Sequence, residues 1–345
     1  MPLPNDISEY TMFQIVIFEP TLRCGLGCPM CDRLSETTGS AELDLDEMAT
    51  VVDRLPPSIE EAYISGGEPT LYRHLPQLCR MLRARGIVVS LQTNGTHPDM
   101  VEKVLDVGVD HFNVSVDGPE ETHDRIRGKG KFARTMASMA LIRDAGRQTV
   151  TTTVISEYNL GSLPQIFAHI KKNRVRPHVM IFELARRFDQ EAISASAALM
   201  GIPHSEVAVR ASGSRFFPFA GAELASALET IVARANTYRQ KIMFLPGYLL
   251  SDWQVLYDRA NRENHTLHCT HKKVLRIDSS GTVIPCFTFR YPFGNLLHES
   301  LDDVVHGARW HAFWERLENS NLAPAPDPFG GGISFVEYIE VIEYE

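Results

Sequence analysis

The chain has no excess of basic residues, no long apolar run and no framework of regularly spaced cysteines, and each of these lacks excludes a class of function. Lys and Arg number 34 against 43 Asp and Glu, leaving a net charge of -9. A nucleic-acid binder needs clustered cations to replace the counterions of phosphates. The two short basic runs, Arg125 to Lys131 and Lys171 to Arg174, read as solvated helix or loop edges. No stretch approaches the roughly 18 apolar residues of a membrane span. The opening MPLPNDISEYTM lacks the basic and apolar regions of a signal peptide. A cytoplasmic protein with neither nucleic-acid nor membrane partners is therefore expected.

What remains is a globular composition, 44% hydrophobic and 22% charged, over 345 residues, enough for a substantial core. Short apolar runs alternate with helical patterns, as in βα units. The runs Gln14–Phe18, Glu61–Ser65, Ile87–Leu91, His111–Ser115, Thr149–Val154 and His178–Phe182 predict strands. Helices are expected near 44–55, 73–85, 98–107, 131–145 and 160–172, with Gly86 and Gly146 as C-terminal stops. A partial six-stranded (β/α) barrel of the TIM type suits this rhythm, with an open doubly wound sheet as the structural alternative. The rhythm breaks after residue 184. A helix follows near 221–239, then a Cys-bearing hairpin with its turn at Ser279–Gly281, a helix after Ser300, and the alternating tail FVEYIEVIEYE. The expected organisation is α/β: a core over 1–220, a linking helical segment over 221–264, and a small α+β extension over 265–345.

Six cysteines in a reducing compartment suggest metal rather than disulfides. Cys24, Cys28 and Cys31 form C-x3-C-x2-C directly after the first strand. Three thiolates on one loop can hold three irons of a cubane and leave the fourth iron open. Gly25 and Gly27 would let the loop wrap tightly. A zinc knuckle is the competing reading, but zinc wants a fourth Cys or His nearby, and none is adjacent in sequence. Cys79 lies among Leu75, Leu78, Met81 and Leu82 and reads as a core thiol. Trp310 and Trp314, four residues apart, read as helix packing.

This spacing resembles the defining signature of the radical S-adenosylmethionine (radical SAM) superfamily. The resemblance implies a [4Fe-4S] cluster on Cys24, Cys28 and Cys31. It implies S-adenosylmethionine chelating the open iron, and reductive cleavage of the sulfonium to a 5'-deoxyadenosyl radical. Met30 stands where the superfamily usually has an aromatic residue and would pack over the adenine. Gly66, Gly67, Glu68 and Pro69 match the Gly-Gly-Glu motif that binds the methionine ammonium. Thr93 and Asn94 close the third strand, and Ser115 and Asp117 close the fourth. By analogy Ser115 would contact the ribose, Asp117 would lie near the cofactor or shape a turn, and Arg127 would meet the cofactor carboxylate. Asn159 and Glu183 point by position to the barrel mouth, or serve as a cap and a surface carboxylate.

Cys269 and Cys286 resemble a truncated SPASM or Twitch extension. Two cysteines are too few for a second cluster without help from His265, His268 or His271. A metal-free remnant, in which Cys269 or Cys286 could donate hydrogen to a substrate radical, is favoured over a second iron-sulfur cluster. Only about thirteen residues precede the first strand, which argues against an N-terminal peptide-recognition domain, and no cobalamin domain is seen. The leading expectation is hydrogen abstraction from a small polar metabolite, a sugar, aminocyclitol or nucleoside, ending in epimerisation, dehydrogenation or decarboxylation. A peptide-modifying maturase is the alternative enzyme, and an iron-sulfur carrier or zinc-binding scaffold the non-enzymatic one. The resemblance also implies an electron donor such as flavodoxin or ferredoxin.

Overall fold

In the computed structural model, residues 13–31, 41–184, 194, 197–198, 200–209, 221–245, 274–286 and 289–319 are described. Cys269, the three histidines near it and the C-terminal tail lie outside them. Six parallel strands carry the core: β1 (Ile15–Phe18), β2 (Glu61–Ile64), β3 (Val88–Thr93), β4 (His111–Ser115), β5 (Gln148–Ile155) and β6 (Val179–Leu184). They lie side by side in sequence order. A doubly wound sheet would reverse its order at a switch point; this one never does, so the barrel-type expectation holds. The sheet does not close among the described residues.

The intervening helices are α1 (Leu45–Asp53), α2 (Leu75–Ala84), α3 (Pro98–Asp106), α4 (Glu120–Arg127), α5 (Lys131–Asp144) and α6 (Ile166–Lys172). α1 starts at a capping box in which Asp44 and Glu47 satisfy each other's backbone N–H. α2 and α5 stop just before Gly86 (φ +80°) and Gly146 (φ +66°), left-handed positions that favour glycine.

Two-residue strand β7 (Ala208–Val209), helix α7 (Gly221–Tyr238) and strand β8 (Ile242–Leu245) follow. β8 runs parallel to β6 and extends that edge of the sheet, in the segment expected only to link. At the opposite edge β9 (Val274–Ile277) pairs parallel with β1, and the hairpin continues through β10 (Thr282–Val283). β11 (Phe289–Arg290) pairs with β7, and β12 (Gly294–Asn295) pairs with β10. Helices α8 (Leu301–Val305) and α9 (Ala308–Asn319) end the described chain. The extension is thus woven into the main sheet beside β1.

The two faces of the sheet differ in chemistry. Val16, Ala62, Leu91, Phe112 and Met180 point to one face and are fully buried, as a helix-covered face requires. The register puts Ile17, Tyr63, Gln92, Asn113 and Thr152 on the other face. A packed barrel interior is filled by bulky branched side chains; here it is largely polar, and Tyr63 and Gln92 remain partly exposed. Cys79 is fully buried in α2, and Phe293, Phe313, Trp310 and Trp314 form one aromatic cluster, as expected.

Candidate active site

β1 delivers the chain to the cysteine loop at the C-terminal ends of the parallel strands, where barrel sites assemble. Cys28 is buried and Cys24 and Cys31 are partly exposed. Leu26, Cys28 and Ile126 form an apolar nest, with Met30, Cys24, Cys31 and Tyr158 packed against it. Cys31 N donates to Cys28 O at 3.0 Å, which curls the C-x2-C segment into a turn.

The loop is fixed mainly by the turn after β2. Gly67 N donates to Thr21 O at 2.9 Å and Glu68 N to Arg23 O at 2.7 Å. Gly66 sits at φ +124°, and a Cβ there would lie 2.5 Å from Thr21 O. A Cβ on Gly67 would fall 2.3 Å from Arg23 O. Glycine is therefore required at 66 and 67. Gly25 and Gly27 behave otherwise than expected: a Cβ at either would meet nothing within 4 Å, so neither makes a close approach.

Glu68 is buried at the centre of the turn. Its Oε1 accepts from Thr70 Oγ1 (2.5 Å), Thr93 Oγ1 (2.6 Å) and Thr70 N (3.1 Å), and its Oε2 accepts from Asn94 N at 2.7 Å. Oε2 carries the lighter load. Pro69 opens the single helical turn that follows. Asn94 Oδ1 accepts from Thr96 N and Oγ1, while its Nδ2 is buried with no protein partner. A buried donor without a partner is costly, and Asn94 Nδ2 suits a bound acceptor.

Asp117 is fully buried. Its Oδ2 accepts from Arg127 Nε at 2.5 Å, its backbone O accepts from Asn159 Nδ2, and its N–H donates to His123 Nδ1. Asp117 is thus the hub of a turn. Asn159 acts as a staple: its Oδ1 accepts from Ser156 N and its Nδ2 also donates to Val154 O. Arg127 is held by Nε alone, and neither Nη donates to another described residue. Its charge lies close enough to Cys28 to favour the thiolate. Burial nevertheless dominates at Cys28 and pushes its thiol up to about 11; at Cys24 burial also raises the thiol. Ligation must therefore displace the protons. Ser115, at the end of β4, is partly exposed on the inner face, as is Glu183 in β6.

Among the described residues no three His, Cys, Asp or Glu side chains are arranged to clasp one metal ion. A zinc centre needs that convergence, whereas a cubane binds each thiolate to a different iron. The three thiols, the uncommitted Arg127 Nη groups and the orphaned Asn94 Nδ2 fit a cluster with a small zwitterionic ligand beside it.

Sequence reasoning missed a buried ion triad. Arg290 of β11 donates to Glu19 Oε2 at 2.6 Å and to Asp278 Oδ2 at 2.8 Å. Glu19 follows β1 and Asp278 opens the β9–β10 turn, so the triad joins the root of the cysteine loop to the hairpin leading to Cys286. Cys286 is partly exposed at the edge of the main core. The Glu directly after an apolar strand is unusual, but nothing local to it names a partner.

A family profile described as the radical SAM superfamily matches residues 18–170, and one described as the SPASM iron-sulfur cluster-binding domain matches 269–325. The Fe-coproporphyrin III synthase of Methanosarcina barkeri is 29% identical over 189 residues, 53% of this chain and 47% of that protein. The PqqA peptide cyclase of Ruegeria pomeroyi is 34% identical over 154 residues, 43% of this chain and 41% of that protein. The chain spans about half the length of the curated relatives it matches. Streptococcus suis SuiB bound to S-adenosylmethionine superposes with a TM-score of 0.66 at 12% identity, covering 96% of this chain and 74% of that one. A second AdoMet-bound structure, anSMEcpe, gives 0.62 at 16% identity, covering 90% and 84%. These two likenesses show the fold. With its cysteine loop and Gly-Gly-Glu turn, the chain carries a radical SAM domain over residues 18–170 and a SPASM match over 269–325, which imply a [4Fe-4S] cluster and S-adenosylmethionine as cofactors.

Proposed function

We propose that this protein reductively cleaves S-adenosylmethionine and takes a hydrogen atom from a carbon of a peptide substrate. The observation that carries the reading is the backbone pairing of the Gly-Gly-Glu turn with the cysteine loop, at the mouth of a polar-lined, unclosed barrel. When bound, the cluster and S-adenosylmethionine supply a carbon radical able to break a C–H bond. Cys24, Cys28 and Cys31 hold three of the irons. Glu68 Oε2 and the backbone of Gly66 and Gly67 receive the methionine ammonium, Arg127 Nη its carboxylate, and Ser115 the ribose. Met30 and Leu26 keep water from the cluster side.

The peptide reading replaces the small-metabolite expectation as the lead. Relatives include peptide cyclases, one of them 34% identical over 154 residues, and a short segment before β1 does not weigh against a peptide. The SPASM match likewise supports a second cluster at Cys269 and Cys286 over a metal-free remnant. Catalysis needs one electron from outside, in keeping with a flavodoxin or ferredoxin partner. Among the described residues no helix is long and apolar enough to cross a membrane.

The test is anaerobic reconstitution with iron, sulfide, S-adenosylmethionine and dithionite, with release of 5'-deoxyadenosine followed by mass spectrometry. Release by the wild-type protein and none by the Cys24, Cys28, Cys31 triple-Ala variant is expected; a carrier or scaffold releases none in either. A small polar metabolite remains the second reading, favoured by the same polar face. Deuterium moving from a labelled peptide into 5'-deoxyadenosine supports the first reading, and transfer only from labelled sugars or nucleosides overturns it.

A further inference from the structure

One hydrogen-bonded row crosses the inner face from strand to strand, below the tier of strand-end loops. Thr152 Oγ1 on β5 donates to Asn113 Oδ1 on β4 at 2.8 Å. Asn113 Nδ2 donates to Tyr63 Oη on β2 at 3.2 Å, and Tyr63 Oη donates to Gln92 Oε1 on β3 at 2.6 Å. Each member passes its donor to the next acceptor, so all the bonds point the same way. The row ends at Gln92, whose Oε1 is fixed by Tyr63 and whose Nε2 donates to no other described residue. Gln92 is partly exposed on the inner face, next to Thr93 and Asn94 of the cofactor tier.

A row built only for stability would end on a satisfied group, since polar networks inside a fold are stabilising when complete. This one ends on two amide N–H donors held in a fixed direction. Fixed donors recognise an acceptor oxygen, and a site built to hydrogen-bond discriminates strongly against ligands that lack the partner. The charge around it selects among acceptors. Glu61, two residues before Tyr63 on β2, and Glu183, which pairs with Val154 two residues past Thr152, share the inner face with the row, and Arg276 of β9 lies on the same face opposite Ile17; Glu61 is buried with Ser90 Oγ donating to it at 2.8 Å. An anionic carboxylate is disfavoured beside Glu61, which sits on the strand next to Gln92 and is bonded to Ser90 two residues before it, and a neutral amide carbonyl is not.

We propose that Gln92, oriented by Tyr63, Asn113 and Thr152, is a specificity-determining residue whose Nε2 donates to a neutral amide carbonyl of the substrate. The proposal deepens the reading of this chamber as a peptide site and rests on it. It assigns the row a use in binding rather than in the radical step.

The test is ligand-observed saturation-transfer NMR on the reconstituted full chain with S-adenosylmethionine, using N-acetyl-L-alanine methylamide as the probe. Propionate and methylammonium serve as the carboxylate and donor-only comparators. Expected is binding of the amide to wild-type protein in preference to both comparators, weakened at least tenfold in Gln92→Glu. That variant keeps the shape and the Tyr63 bond but replaces the donors with an acceptor. Gln92→Leu should weaken the probe similarly, with circular dichroism checking that each variant is folded. Equal amide binding by folded Gln92→Glu overturns the proposal, as does tighter binding of propionate or methylammonium, or no amide binding to wild-type protein. This readout needs no reductant. A wild-type protein that binds the amide yet never releases 5'-deoxyadenosine therefore sinks the enzymatic reading while leaving the row's assignment standing.

Discussion

Two cysteine-bearing regions lean on the same strand and are held in different ways. The N-terminal loop leaves the C-terminal end of β1 and is fixed by backbone pairing with the Gly66–Glu68 turn. The C-terminal hairpin pairs the β9 backbone with β1 and adds a side-chain lock, with Arg290 between Glu19 and Asp278. Backbone pairing tolerates almost no change of residue at the glycines but asks little of other side chains. The ion triad depends on three particular side chains, two of them 271 residues apart in sequence. One region is fixed by close backbone approach at two glycines; the other combines a strand pairing with a charge lock.

The sharpest way to break this contrast is to empty each region of cysteine. The Cys24, Cys28, Cys31 triple-Ala variant is expected to lose all 5'-deoxyadenosine formation and retain only the iron of the extension, about four atoms per chain. Cys286→Ala is expected to lose about that amount of iron and keep cleavage of S-adenosylmethionine. Iron analysis beside product quantification decides it. If Cys286→Ala abolishes cleavage as fully as the triple variant, the two regions are not separable.

Next in size are the contacts that hold each region. Arg290→Met takes the Arg290 cation away from buried Glu19, a change expected to cost about 3–5 kcal/mol in urea unfolding. Replacing all three members together, as Glu19→Leu, Asp278→Asn and Arg290→Met, should recover most of the loss, because the uncompensated charge is what hurts. On the other side, Gly67→Ala forces a methyl toward Arg23 O and Leu22 O, both under 2.5 Å from the new atom. An overpacking cost of about 1–3 kcal/mol follows, with accelerated loss of iron from the loop. If Arg290→Met sheds iron faster than Gly67→Ala, docking rather than backbone pairing governs the first cluster.

The same contrast explains what could be read from sequence. The cysteine trio, Gly66 and Gly67 announced themselves because residue type and local spacing dictate their geometry. The six parallel strands were legible for the same reason: β-branched runs and helix stops are local signals, and Gly86 and Gly146 fall where expected. Arg290, Glu19 and Asp278 were not legible, since nothing local to FTFRYPF says which carboxylate it will meet. The role of Gln92 and Asn113 needs the register that places them on one face with Tyr63. Arg127 was expected to face the cofactor, and the added fact that Asp117 grips its Nε comes only from the fold.

A pH difference should separate the regions further. His123, on α4 beside the cysteine loop, is buried, and desolvation, aided by the Arg127 charge, lowers its pKa from the usual 6.5 to about 3. Between those values the unfolded chain binds a proton that the native state refuses, so stability falls as pH drops from 6.5 toward 3. The slope is at most about 1.4 kcal/mol per pH unit. Above pH 6.5 the contribution is complete. Hydrogen exchange at pH 7 and pH 5 should therefore show α4 losing more protection on acidification than the hairpin. In His123→Gln, which cannot take the proton, that extra loss should shrink. Equal losses in the two regions of the wild-type protein would remove His123 as the source of the difference.

The smallest effect gives the finest discrimination, because the two regions carry nearly matched capping boxes. Asp44 accepts from Glu47 N at 2.9 Å at the start of α1, and Ser300 accepts from Asp303 N at 3.1 Å at the start of α8. Removing either cap, as Asp44→Ala or Ser300→Ala, is expected to cost about 1 kcal/mol. The consequences should differ because their neighbours differ. Leu43, adjacent to Asp44, accepts from Tyr72 Oη at 2.8 Å, and Glu42 accepts from Arg23 Nε at 2.6 Å and from the Thr21 hydroxyl. Thr21 and Arg23 are the residues whose carbonyls receive the Gly-Gly-Glu turn. Fraying α1 therefore loosens the frame of the first cluster, whereas fraying α8 reaches only the extension and the Arg54 contacts to Leu296 O and Glu299 O. Iron release under a chelator should be faster in Asp44→Ala than in Ser300→Ala at equal loss of stability. Matched release rates would mean that the loop is held by its own backbone bonds alone, with the Glu42 contacts adding nothing.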